Sequence, residues 1–291
     1  MDPWISIDYR LAPQAKLPQI IEDLADAYRW VRVDGPKLFR IDPNRIAVVG
    51  PSAGGYLALM SGFVLTPRPK AVVSFYNYGD ISGEWYSRPD SFHNRQRSVS
   101  KEEAYRAVGT RLISEDPDMN RWSFYLYTRQ QGRWPMEVVG HDPDREPGIF
   151  DPFCPLRNVT KDYPPTLLLH GDKDTDVPVE QSVLMARELE RHGVQHELIS
   201  IPGRGHGFDR AMSDPVIAAA FDRVLAFLEG SLKPNARRPA IEGGRPQRSR
   251  RSSTSDTMNP NPGQPPDWID RSNHLRACAV SPRTRYQLPR P

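Results

Sequence analysis

Ile46-Ala47-Val48-Val49-Gly50-Pro51-Ser52-Ala53-Gly54 is the stretch that decides how this chain is read. Its first four residues are a continuous run of β-branched and small apolar side chains, as expected of a strand buried on both faces. The run stops at Gly50, and helix-like residues begin at Ala53. So sharp a turn from strand to helix lifts the Ser52 hydroxyl above the sheet edge, and glycine on both sides lets the two backbones approach. Pro51 fixes its own φ and keeps Gly50 extended, which suits a strand end. Gly-x-Ser-x-Gly recurs by chance, so the placement carries the reading. The competing account of Ser52 is an ordinary helix N-cap.

Outward from this turn, strand and helix patterns alternate. Residues 5–7 read as a short strand leading into the loop 8–13. Ile20, Ile21, Leu24, Ala27, Tyr28 and Val31 recur at helical spacing, and Gly35-Pro36 closes that helix. A helix over 56–65 and a strand over 71–75 follow the turn. Further on come a strand (166–170), a helix (179–192), a strand (197–201) and a helix (215–228) ended by Gly230. This alternation implies an α/β fold, a doubly wound, mostly parallel sheet whose ligands bind beyond the carboxyl ends of its strands.

Residues 80–150 interrupt the alternation. The stretch is longer than a connecting loop and rich in aromatic residues (Trp85, Phe92, Tyr105, Trp122, Phe124, Tyr125, Tyr127, Trp134), so it is expected to form a helical cap. Packing of the cap itself is favoured over substrate contact as the account of these rings. The expected organisation is a first part of the core over 1–79, the cap over 80–150, the second part of the core over 151–233, and a tail over 234–291. Pro, Arg, Ser and Asn dominate the tail, which is expected to be disordered and basic.

Eleven Arg against four carboxylates make the stretch from Pro234 onward +7, so the chain's net +3 leaves residues 1–233 at −4. The globular part therefore offers no broad basic field, and nucleic acid is not expected as the main partner. The two cysteines, Cys154 and Cys278, fall in different compositional zones, which argues against a structural disulfide and for a reducing compartment. The start of the chain has neither a basic nor an apolar leader region, and no run is apolar enough to span a bilayer. A soluble, cytoplasmic protein with no membrane partner is expected, and its oligomeric state is left open.

Ser52 would be the nucleophile, with Asp and His following it down the chain. That order belongs to a Ser-His-Asp hydrolase on a parallel sheet. The acid lies among Asp172, Asp174 and Asp176, in the loop after the strand 166–170. Three alternating Asp could suggest a calcium loop, but Val177 and Val183 occupy the sixth and twelfth positions, where Gly and Glu are required. No metal is therefore expected. His206 sits in the glycine-rich loop after the strand 197–201, one strand-helix-strand unit beyond the acid, so both loops fall at the same end of the sheet. The Ala53 N–H is placed to be one oxyanion-hole donor at a helix N-terminus. His170 reads as a structural residue, His192 and His196 as solvated, and His93 and His141 lack metal-ligand spacing.

Four segments, in order, resemble an α/β-hydrolase of the esterase, lipase and prolyl-oligopeptidase-like group. Asp8-Tyr9-Arg10-Leu11-Ala12-Pro13 is similar to the Tyr-Arg-Leu-Ala-Pro segment of hormone-sensitive-lipase-like esterases, and Gly50-Pro51-Ser52-Ala53-Gly54-Gly55 to their elbow. His170-Gly171-Asp172-Lys173-Asp174-Thr175-Asp176-Val177-Pro178 resembles the family's acid loop, and the resemblance selects Asp174. Gly205-His206-Gly207-Phe208 resembles its His loop. The likeness covers roughly residues 4–230. It implies a serine hydrolase of carboxylic ester (or amide) bonds, acting on a small-molecule ester or peptide through an acyl-enzyme and needing no cofactor.

The family's His-Gly-Gly segment, which supplies further oxyanion donors, precedes the Tyr-Arg-Leu-Ala-Pro strand and does not occur here. The expectation is an N-terminally truncated α/β-hydrolase, with residues 5–7 left as an unprotected edge strand. The alternative function is that of a catalytically impaired fragment kept as a binding or interaction module.

Overall fold

Central strands of a parallel sheet must be apolar on both faces, whereas edge strands need not be. The four strands found here divide in that way. The computed structural model describes residues 3–114 and 121–233. In chain order its elements are helix α1 (Leu17–Val33), the single turn α2 (Gly35–Leu38), strand β1 (Ala47–Pro51), α3 (Ala53–Val64) and β2 (Ala71–Phe75). Then come α4 (Glu84–Ser87), α5 (Lys101–Val108), α6 (Trp122–Gln130) and α7 (Trp134–Val139). They are followed by β3 (Thr166–Gly171), α8 (Glu180–Arg191), β4 (His196–Ile201) and α9 (Pro215–Leu232).

All strand pairs are parallel, in the order β1-β2-β3-β4. β2 and β3 are buried along their whole length, while β1 and β4 are only half-buried. Alternate side chains serve opposite faces. Val48, Val72, Leu168 and Leu198 pack with α3 and α8 on one side. Val49, Val73, Phe75, Leu167, Leu169 and Ile201 pack with α9 on the other. The fully buried Leu167, Leu168 and Leu169 alone each contribute about 1.5–3 kcal/mol of burial. The sheet is thus covered on both faces, as the strand-helix alternation requires. α9 starts cleanly because the Asp214 side chain accepts from the Val216 N–H and Pro215 occupies the first turn.

Between β2 and β3 the chain carries α4 to α7 and, among the described residues, no strand. Three sequence expectations fail. Gly230 does not end the last helix, since α9 runs on through it to Leu232. Residues 5–7 form no strand. Ile7 and Tyr9 instead pack against the cluster around α1, and the following backbone is held by the Asp23 carboxylate on Arg10 and by the Ile113 carbonyl on Leu11. Side-chain and loop partners there replace a ladder. Gly35-Pro36 does not close α1, which ends at Val33. The pair opens α2, because proline is tolerated in a helix's first turn, where its missing N–H has no partner to lose. Cys154 is buried and unpaired, while Cys278 and the tail over 234–291 lie outside the described residues.

Candidate active site

The loops after all four strands emerge at the same end of the sheet. β1 delivers Ser52, β2 Tyr76, β3 Asp174 and Asp176, and β4 His206. Ser52 has φ 54° and ψ −120°, a conformation that side-chain-bearing residues rarely adopt. The turn holds it there. The Ser52 N–H donates to the Phe75 carbonyl at 3.0 Å, and its own carbonyl accepts from the Tyr56 N–H at 2.9 Å to start α3. A Cβ on Gly50 would fall 2.1 Å from the Gly54 carbonyl oxygen, and one on Gly55 would fall 2.8 Å from that of Phe75. The glycines are there because backbone runs against backbone.

Ser52, Asp174 and His206 come together. Nε2 of His206 lies 3.0 Å from Ser52 Oγ, and Nδ1 lies 2.8 Å from Asp174 Oδ2. A carboxylate can only accept, so Nδ1 carries the proton and Nε2 is left to accept the serine hydroxyl. The Asp174 side chain is fully buried, whereas His206 is a quarter exposed. Burial alone would raise the Asp174 carboxyl. Hydrogen bonds from His170 and His206, the charge of His206 and the Val177 N–H outweigh burial and hold Asp174 well below the usual carboxylate range. Burial pulls His206 downward, but the hydrogen bond to Asp174 and the charges of Asp176, Asp174 and Asp209 leave it raised.

The other carboxylates of the acid loop diverge. Asp172 accepts from the Gly203 N–H at 2.6 Å, which ties the acid loop to the His loop. Asp176 turns toward α6, where it accepts from the Tyr125 hydroxyl and Arg129. Ala53 is the first residue of α3, and its N–H is one of the first-turn donors that have no partner inside a helix.

Three supporting residues escaped the sequence reading or were given smaller parts. His170 is wholly buried. Its Nε2 donates to the Val177 carbonyl at 3.0 Å and lies 3.3 Å from Asp174 Oδ2, while Nδ1 faces the Ser182 hydroxyl at 2.7 Å. It therefore braces the acid loop. Tyr76 (φ 35°) places its ring 4.5 Å from the His206 ring and donates its hydroxyl to Asp209 at 2.6 Å. Its place just past the carboxyl end of β2 is the signal that could have found it. Arg129, 1% exposed, had no such signal. It sits among Tyr86, Trp85 and Tyr125, rings that also pack on one another or on Trp134. His93, read only as lacking metal-ligand spacing, is equally buried, with Nδ1 2.9 Å from Asp90.

The BD-FAE family profile matches residues 3–189, more than half of the chain. Over 212 residues the chain is 32% identical to esterase LipC of Mycobacterium tuberculosis, covering 70% of this chain and 45% of that protein. To the ethyl acetate hydrolase of Pseudomonas putida it is 31% identical, covering 72% of this chain and 56% of that one. The chain thus spans about half the length of these relatives. The crystal structure of an α/β-hydrolase superfamily protein from Enterococcus faecalis superposes with a TM-score of 0.58 at 22% identity, covering 77% of each chain. A parallel sheet that presents a strained Ser turn, an acid loop and a His loop at one end agrees with that likeness, and the chain belongs to the BD-FAE family, with the α/β-hydrolase fold of esterases and lipases.

Proposed function

We propose that the chain is a serine hydrolase of carboxylic esters in which Ser52 is the nucleophile, His206 the general base and acid, and Asp174 the residue that orients the imidazole. The observation that carries this reading is the continuous chain of contacts from Asp174 Oδ2 through His206 to Ser52 Oγ, at 2.8 and 3.0 Å. The esterase relatives support the substrate class.

Ser52 Oγ attacks the ester carbonyl carbon while its proton passes to Nε2 of His206. The carbonyl π pair moves onto oxygen, where the negative charge meets the Ala53 N–H and the positive end of α3. The tetrahedral intermediate then expels the alkoxide, which leaves as an alcohol with the proton from Nε2. Water repeats the sequence on the acyl-enzyme, giving up a proton to His206 and returning Ser52 free. Asp174 stays ionised throughout and stabilises the imidazolium. The stretch over 80–150 is read as a cap. Contacts of its α6 with the acid loop at Asp176 support that reading.

The test is steady-state hydrolysis of p-nitrophenyl acetate by the full chain and by Ser52→Ala. Saturable turnover that the substitution abolishes is the expected result. Equal rates in the two proteins refute the assignment.

A further inference from the structure

The two oxygens of the Asp176 carboxylate have unlike surroundings. Oδ1 accepts from the Tyr125 hydroxyl at 2.7 Å and from Arg129 Nη1 at 3.2 Å, and Nε2 of His93 lies 3.3 Å away. Oδ2 lies 3.6 Å from Nε2 of His206, the ring atom that faces Ser52. Both groups that donate to Oδ1 come from the stretch between β2 and β3. Tyr125 and Arg129 are on α6, and His93 belongs to a single 3-10 turn. Arg129 is itself immobilised. It pairs with Asp90 Oδ2 at 3.1 Å and lies 4.7 Å from the centre of the Tyr86 ring, and Asp90 in turn holds His93 through both its backbone N–H and Nδ1.

We propose that Asp176 is a positioning carboxylate for His206, clamped by the cap so that its free oxygen meets the imidazolium whenever the ring takes up a proton. The inference rests on the serine hydrolase reading above. In the resting ring Nε2 is an acceptor, and a carboxylate oxygen is another acceptor, so the two have nothing to share at 3.6 Å. Once the serine proton reaches Nε2, the same pair becomes donor and acceptor, with opposite charges at short range in a poorly hydrated place. Asp174 cannot do this, because it occupies the opposite edge of the ring at Nδ1. Seating of the cap thereby adjusts the strength of the base. The groups facing His206 are Ser52, Asp174, Asp176, Asp209 and the Tyr76 ring, and those around Asp176 are His93, Tyr125, Arg129 and His206, with the hydroxyls of Tyr78 and Tyr86 within its field. The upward displacement of His206, in spite of its burial, agrees with this arrangement.

The experiment is an NMR titration of the His206 imidazole in the full chain, assigned with His206→Gln. It is combined with the pH dependence of Ser52 labelling by a fluorophosphonate. Asp176→Asn keeps the shape and the acceptor toward Tyr125 and Arg129 while removing the charge. The His206 midpoint is expected to fall by about one pH unit, and the labelling profile to move with it. A folded Asp176→Asn protein with an unmoved midpoint overturns the proposal. Tyr125→Phe covers the case in which Asp176→Asn does not fold. It strips one donor from Oδ1 and loosens the clamp while leaving the charge, so the midpoint moves away from the wild-type value, and an unchanged value overturns the proposal equally. If the wild-type chain does not label, the hydrolase reading itself falls. Normal labelling with an unmoved midpoint defeats only the role given to Asp176.

Discussion

Replacing Asp174 by Asn exposes the logic of the site, because the surroundings dictate which way the amide must point. Oδ1 of Asp174 accepts two backbone N–H groups, from Asp176 and Val177, each at 2.9 Å. Those donors pin the amide oxygen of Asp174→Asn in the Oδ1 position, so the NH2 takes the place of Oδ2, 2.8 Å from Nδ1 of His206. Two donors cannot face one another, and Nδ1 must therefore give up its proton to Nε2. Nε2–H then points at Ser52 Oγ, 3.0 Å away, and can no longer accept its proton. The expected loss is about 10⁴ in kcat, or roughly 5.5 kcal/mol of barrier. KM should change little, since the buried carboxylate does not reach the substrate. The assay is p-nitrophenyl acetate hydrolysis by wild type and variant, with circular dichroism to show that both are folded. A folded variant that turns over within tenfold of wild type would mean that the Asp174–His206 contact does not set the tautomer, and the reasoning would be refuted.

Other consequences follow from the same geometry. Gly50→Ala drives a Cβ to 2.1 Å from the Gly54 carbonyl oxygen, so thermal melts should show a loss of about 3 kcal/mol or more; an unchanged melting temperature would falsify the close-approach account. Ser52→Gly releases a backbone held at φ 54°, and it should gain about 1 kcal/mol in stability while losing activity; lower stability than Ser52→Ala would count against stored strain. The base works when neutral and His206 is raised above its ordinary 6.5, so the acid limb of kcat/KM should have its midpoint above pH 6.5 and fall tenfold per unit below it; a flat profile from pH 5.5 to 7.5 removes His206 as the base. In stability the signs are opposite. The contribution of protonated His206 is complete below 6.5 and is lost as pH rises through its raised folded value. That of Asp174 is present above its ordinary 3.8 and is lost as pH falls through its depressed folded value. Urea melts across pH report both.

The sheet was legible because its strands obey simple rules. The segment 71–75 is the strand Ala71–Phe75, and the runs beginning at Ile46 and Thr166 differ from β1 and β3 by a residue or two at their ends. The convergence of Ser52, Asp174 and His206 was legible because each follows a strand and sits beside glycines or in a recognisable loop. What the sequence hid was of another kind. Residues 5–7 alternate like a strand, yet form none, because pattern alone does not supply a neighbour. The two groups that donate to Asp176 lie about 50 residues upstream, on a helix with only a weakly apolar face, and the spacing of Arg129 and Tyr125 gives no hint that a carboxylate will arrive between them. Tyr76 has a positive φ that only the folded backbone reveals.

The central claim is that Ser52 is activated by His206. Its most direct test is intact-mass and peptide mapping of the full chain after fluorophosphonate treatment, in wild type, Ser52→Ala and His206→Ala. One adduct on the peptide containing Ser52 is expected, absent from Ser52→Ala and slowed by orders of magnitude in His206→Ala. An adduct on any other residue, or equal labelling of wild type and Ser52→Ala, would contradict it.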